Sequence, residues 1–97
     1  MNVKVSDYVA DFFAKRNITQ VFTVTGGGAM HLNDSFARNT AINCIYNHHE
    51  QASAMAAEAF TRLTGNVSVL CVTTGPGGTN ALTGVMGAWL DSIPVFV

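Results

Sequence analysis

The sequence predicts an α/β fold: a three-layer α/β/α arrangement on a parallel sheet, truncated to about four strands of a larger domain. Three observations predict it. Apolar, β-branched runs alternate with segments of helical periodicity. The runs pass into the next helix through glycine-rich or polar junctions, as in parallel sheets covered on both faces. The last run, Pro94-Val95-Phe96-Val97, has no turn or covering helix after it. An uncovered parallel strand exposes backbone and side chains, so the chain is expected to be the front part of a longer domain.

The elements follow in order. Ser6 is a good N-cap for a helix carrying Val5, Tyr8, Val9, Phe12 and Phe13 on one side, with Asp7 favouring its positive end. Asn17 is a plausible stop. Gln20 to Thr25 is a short buried strand rich in Val, Phe and Thr. Gly26-Gly27-Gly28 opens a helix from about Met30 to Arg38, with Leu32 and Phe36 inward. Ala41 to Tyr46 is the second strand. The next helix starts at Glu50, runs to about Thr64 and ends at Gly65. Its apolar face is predicted as Ala52, Met55, Ala56, Ala59 and Leu63. Val67 to Thr73 is a continuous β-branched strand, expected where both faces are covered. Thr74 to Asn80 is expected as a loop, Ala81 to about Leu90 as a helix, and Pro94 to Val97 as the start of a fourth strand. Gly84 and Gly87 each cost that last helix about 1 kcal/mol relative to Ala. Close approach of a neighbouring helix, or of a second subunit, would compensate.

Composition excludes several functions. The 97 residues suffice for one small domain. Only 11% are charged while 48% are hydrophobic, so part of the surface is expected to face a partner. Net charge is −1 and the five Lys and Arg are scattered, which argues against nucleic-acid binding. Cys44 and Cys71 lie in separate apolar runs without CxxC spacing, as expected of free thiols in a reduced, cytoplasmic protein. No run approaches the roughly 20 apolar residues of a membrane span, and the start lacks a signal-peptide pattern.

Phosphate and metal motifs fail. Gly26 and Gly28 would begin G-x-G-x-x-G, but position 31 is His. Tyr46 and Asn47 stand where the dinucleotide fold wants an acid. Gly75 and Gly77 fail likewise at Asn80, and no Gly-Lys-Ser/Thr occurs. Neither loop carries a Lys or Arg. Both suit a flat or bulky group approaching backbone, with Pro76 stiffening the second. His31, His48 and His49 lack metal-ligand spacing, so no metal is expected on this chain.

The most informative residue is Glu50, at a strand-to-helix junction where open α/β sheets bind ligands. It is either a helix N-terminal stabiliser or a proton-handling group. Few charges surround it until Arg62, and desolvation there would raise a carboxyl pKa. Glu58, eight residues on, is expected to face solvent.

Several motifs occur together in order: His49-Glu50-Gln51, the Ala-rich helix to Arg62, Thr73-Thr74-Gly75-Pro76-Gly77-Gly78-Thr79-Asn80, and Asp91-Ser92-Ile93-Pro94-Val95. From Ser6 to the end the chain resembles the N-terminal pyrimidine-binding domain of thiamine-diphosphate enzymes of the acetolactate synthase and pyruvate oxidase type. The resemblance implies that residues 1–97 form the front part of that domain. The central domain and the diphosphate-binding domain, with its Mg²⁺ site, lie outside this chain. It implies that Glu50 is catalytic: its carboxyl bonds the N1′ nitrogen of the aminopyrimidine and promotes loss of the thiazolium C2 proton. The substrate is then a 2-keto acid or related carbonyl compound, in lyase or transferase chemistry. It implies cofactor contacts at Gly26, Thr73, Gly75, Pro76, Gly77 and Asn80, and a substrate pocket near Gly27 and Gly28. His49 shapes the loop. It further implies a homodimer or tetramer whose sites form between the pyrimidine domain of one subunit and the diphosphate domain of another. The chain departs from the pattern at Thr25-Gly26, where many acetolactate synthase relatives carry an aromatic or aliphatic residue and then Pro. A non-catalytic α/β assembly or binding module, and a nucleotide-binding domain using the glycine loops, are the competing functions.

Overall fold

A computed structural model describes residues 2–97. Four helices, α1 (Val5–Ala14), α2 (Met30–Arg38), α3 (Glu50–Thr64) and α4 (Pro76–Leu90), alternate with four strands, β1 (Gln20–Thr23), β2 (Asn43–Tyr46), β3 (Ser68–Cys71) and β4 (Val95–Phe96). All strand pairs are parallel, in the order β2-β1-β3-β4. The expected α/β class and parallel sheet are therefore present.

The sheet divides the core by strand alternation. Val21, Val69 and Cys71 join Ala10 of α1 and Phe36 of α2, with Val9, Phe13 and Leu32 packed against them. Leu70, one residue out of phase, joins Ala54 of α3 and Ala81 of α4 on the opposite face. All four β3 residues are buried, because helices cover both faces of this central strand. The edge strand β2 is mostly exposed.

Several expectations need correction. Ser6 does not cap α1. Lys4 occupies that position without a side-chain cap, and Ser6 is buried within the first turn, in a hydroxyl pair with Ser35 of α2 at 2.8 Å. Val5 and Tyr8 face outward. Polar groups add to the apolar α1–α2 packing: Ser35 Oγ lies 2.6 Å from Asp7 Oδ1, and Arg38 donates to the same oxygen at 2.7 Å. Asn17 does end the α1 turn, in left-handed geometry at φ 58°.

The bounds of α3 match, and Gly65 closes it at φ 73°. Its inward face differs. Ser53, Ala54, Ala57 and Thr61 are buried, whereas Met55 and Leu63 are exposed. Ala is small enough for either side, and the buried hydroxyls are satisfied. Ser68 Oγ donates to the Ala57 carbonyl at 2.9 Å and pairs with Thr61 Oγ1 at 3.0 Å. Glu58 is not solvent-facing. Its side chain is 16% exposed, bonded to Arg62 at 2.6 Å, and Arg62 also meets Asp91.

The expected loop Thr74–Asn80 is mostly helix. Gly75 turns the chain at φ 66°, ψ −122°, and Pro76 starts α4 at its first position, where its missing N–H costs nothing. Gly84 is compensated inside the domain: a Cβ there would lie 2.4 Å from that of Ala54. Helices α3 and α4 thus touch nearly backbone to backbone.

Candidate functional site

Three junctions meet at the C-terminal edge of the sheet: Gly26–Ala29 after β1, Asn47–His49 after β2, and Val72–Gly75 after β3. Such an edge is where open α/β sheets bind ligands.

Glu50 opens α3 immediately after its N-cap, His49. His49 Nδ1 accepts the Gln51 N–H at 3.0 Å, so the imidazole shapes the junction, as expected. Ser53 reinforces it, donating from Oγ to Asn47 Oδ1 at 2.9 Å. The Glu50 side chain meets a group distant in sequence: Asn80 Nδ2 of α4 donates to Oε2 at 3.1 Å. The other oxygen, Oε1, lies 3.6 Å from where a Cβ on Gly77 would stand. A side chain at position 77 would fill the space beside this oxygen.

The Glu50 carboxyl is held below the usual carboxylate range. Its own backbone N–H at the helix start contributes most, followed by the Asn80 hydrogen bond, with desolvation opposing them. The sequence-based expectation of a raised value fails for this chain alone. Helix-end and amide donors outweigh desolvation at a carboxylate this open.

Thr73 occupies the centre of the cluster. The Gly28 N–H donates to its Oγ1 at 3.1 Å. A Cβ on Gly26 would lie 2.5 Å from Thr73 Cβ, and one on Gly77 2.7 Å from its Cγ2. The fold therefore brings Glu50, Thr73, Gly77 and Asn80 together with Gly26 and Gly28. Gly27, Gly75 and Pro76 are exposed in the same junctions, and nothing lies within 4 Å of a Cβ at Gly27 or Gly75.

One network was not foreseen. Asn33 Nδ2 donates to Thr23 Oγ1 at 3.0 Å, and Thr23 Oγ1 donates to the Cys71 carbonyl at 2.7 Å. It ties α2 and β1 to the end of β3, two residues before Thr73. A polar residue inside the apolar periodicity of α2 was its only trace in the sequence. Burial pushes the thiols of Cys44 and Cys71 up, so neither is an activated nucleophile. Among the described residues no three His, Cys, Asp or Glu side chains converge as metal ligands, and no helix is long and apolar enough to cross a membrane.

The geometry defines a class: an α/β domain with a carboxylate-centred, glycine-walled site at the C-terminal edge of a parallel sheet. Residues 3–97 match the family described as thiamine pyrophosphate enzyme, N-terminal TPP binding domain, and the chain belongs to that family. Its relatives include acetolactate synthase 2, chloroplastic, of Nicotiana tabacum, 36% identical over 92 residues that make up 95% of this chain and 14% of that enzyme. Acetolactate synthase isozyme 3 large subunit of Escherichia coli K12 is 40% identical over 82 residues, 84% of this chain and 14% of the relative. The large subunit of Lactococcus lactis is 36% identical over 92 residues, 95% of this chain and 16% of the relative. The chain thus spans about one-seventh of the length of the relatives it matches.

Proposed function

We propose that this chain is the pyrimidine-binding portion of a thiamine-diphosphate-dependent lyase or transferase acting on a 2-keto acid or related carbonyl compound, in the manner of acetolactate synthase. The observation that carries the proposal is the Glu50 carboxylate. Asn80 bonds one oxygen, and the other lies beside Gly77.

The residues present suit the cofactor's heterocycle. A flat ring needs a wall without side chains and a carboxyl at its edge. Gly75, Pro76 and Gly77 supply the wall, and Glu50 the carboxyl. When bound, thiamine diphosphate supplies an electron sink for making or breaking a bond at a carbonyl carbon.

Glu50 would hold or move a proton at its carboxyl, the group at this edge able to share one with a ring nitrogen. Asn80 anchors the carboxyl through Oε2, which leaves Oε1 directed at the space beside Gly77. Desolvation of Glu50 by a bound heterocycle would raise the carboxyl from its depressed value and so favour sharing a proton. Gly26 lines the cofactor, and Gly27 and Gly28 border the reacting end. Thr73, expected among the cofactor contacts, is engaged by the glycines around it.

The diphosphate and Mg²⁺ require residues outside this chain, supplied by the diphosphate-binding domain of a partner subunit in a homodimer or tetramer. Exposed Met55, Leu82, Met86 and Trp89 on α3 and α4 support such assembly. A cytoplasmic site of action belongs to the same proposal.

Glu50→Gln in the full-length enzyme tests the reading. Turnover of a 2-keto acid is expected to fall about 10²–10⁴-fold, the usual worth of a positioned proton-transfer group. Unchanged turnover would favour the non-catalytic α/β module instead.

A further inference from the structure

We propose that Thr73 is the positioning residue of this site: its hydroxyl sets the Gly26–Gly28 turn and its methyl sets the Gly77 wall beside Glu50. The inference rests on the proposed function and adds what holds the two glycine segments in register.

The hydroxyl makes the hydrogen bond to the turn, and the methyl packs against both glycine segments. The hydroxyl Oγ1 accepts the Gly28 N–H at 3.1 Å, fixing the turn after β1. The methyl Cγ2 lies 2.7 Å from where a Cβ on Gly77 would stand, so only a residue without Cβ packs there undisturbed. The same methyl lies 2.6 Å from the Cβ position of Gly26, and Thr73 Cβ 2.5 Å from it. One β-branched residue is thus wedged between two segments more than forty residues apart.

Thr73 is itself anchored. It follows β3, whose Cys71 carbonyl accepts from Thr23 Oγ1 at 2.7 Å. Thr23 is buried, and accepts in turn from Asn33 of α2. A β-branched residue has few χ1 choices, so an anchored backbone also fixes both branches. Its position reaches Glu50 through Gly77, whose Cβ site is 3.6 Å from Glu50 Oε1. Thr73 therefore acts on Glu50 through its neighbours.

The two branches predict opposite kinetic signatures. Thr73→Val keeps a methyl and removes the acceptor for Gly28. In the full-length enzyme kcat should fall about 10–100-fold, with substrate KM raised and cofactor KM little changed, as small misplacements at a reacting centre do. Thr73→Ser keeps the acceptor and should retain kcat within about 3-fold, because the hydrogen bond that orients the turn survives. Gly77→Ala should raise cofactor KM about 10-fold or more, because the wall moves. Combining Gly77→Ala with Thr73→Ser removes the clashing methyl and should recover much of that loss. A residue serving stability alone would lower the thermal midpoint and move neither KM, and rescue would then appear in the midpoint and not in cofactor KM.

Glu50→Gln is the reference. If it loses turnover while Thr73→Val keeps wild-type kcat and substrate KM, or while the double variant recovers nothing, the positioning role is overturned and the proposed function stands. If Glu50→Gln keeps full turnover, both fall. Should Thr73→Val fail to fold, recovery by Thr73→Ser/Gly77→Ala alone supports the role, and its failure refutes it.

Discussion

At the scale of single residues, Glu50 shows how a helix start and one amide set the state of a carboxylate. Its own N–H and Asn80 lower the carboxyl pKa. A carboxyl depressed in the folded state contributes stability above its unfolded pKa and loses it as pH falls through the folded value. Asn80→Ala removes one of the two main causes, so the Glu50 pKa should rise. The acid limb of kcat/KM against pH, which reports the free enzyme, should move to higher pH. An acid limb that stays in place or moves lower contradicts this account. Glu50 itself was legible in the sequence from its place after a strand and before a helix. The Asn80 bond was not, because it joins positions thirty apart and depends on how α4 lies beside α3.

At the scale of elements, the close contact between α3 and α4 gives a clear sign test. Gly→Ala inside a helix ordinarily gains about 1 kcal/mol. At Gly84 the new Cβ would meet that of Ala54 at 2.4 Å, and overpacking of this kind costs about 1–3 kcal/mol. Gly84→Ala should therefore lower the thermal midpoint, and Ala54→Gly in the same chain should restore part of it. The α1–α2 pair offers a pH test. The hydrogen bond from Ser35, then Arg38, lowers the Asp7 carboxyl, and Asp34 and Asp7 keep Arg38 charged. The stabilisation is present above the unfolded Asp pKa and is lost as pH falls through the lowered folded value. The thermal midpoint of the wild type should exceed that of Asp7→Asn at neutral pH, and the gap should close in acid. The order of helices and strands was legible because β-branched runs and helical periods alternate. The inward face of α3 was not, because Ala gives little contrast between faces and its buried neighbours Ser53 and Thr61 are polar. The start of α4 was hidden by glycines that suggest a loop, although Pro76 at a first helical position was the available signal.

At the scale of the whole molecule, the fold gathers three junctions into one site and leaves an apolar face beside it. Trp89 is 78% exposed, with Leu82 and Met86 on the same helix also open. In the proposed assembly this face is covered, so Trp89→Glu should weaken the oligomer, seen as a smaller species in sedimentation. An unchanged species would place the interface elsewhere. The class of fold followed from local pattern, and the family from the resemblance that its motifs carry. What local pattern missed were polar contacts between distant segments, such as Asn33 with Thr23 and Gly28 with Thr73, which exist only once the sheet is assembled. The central claim is that Glu50 moves a proton for a bound heterocycle. The most direct measurement is the rate of hydrogen–deuterium exchange at C2 of thiamine diphosphate bound to the full-length enzyme, with Glu50 intact and as Glu50→Gln. The account predicts exchange slower by about 10²-fold or more in the variant, in line with lost acid–base catalysis. Equal exchange in both proteins, at equal cofactor occupancy, would contradict it.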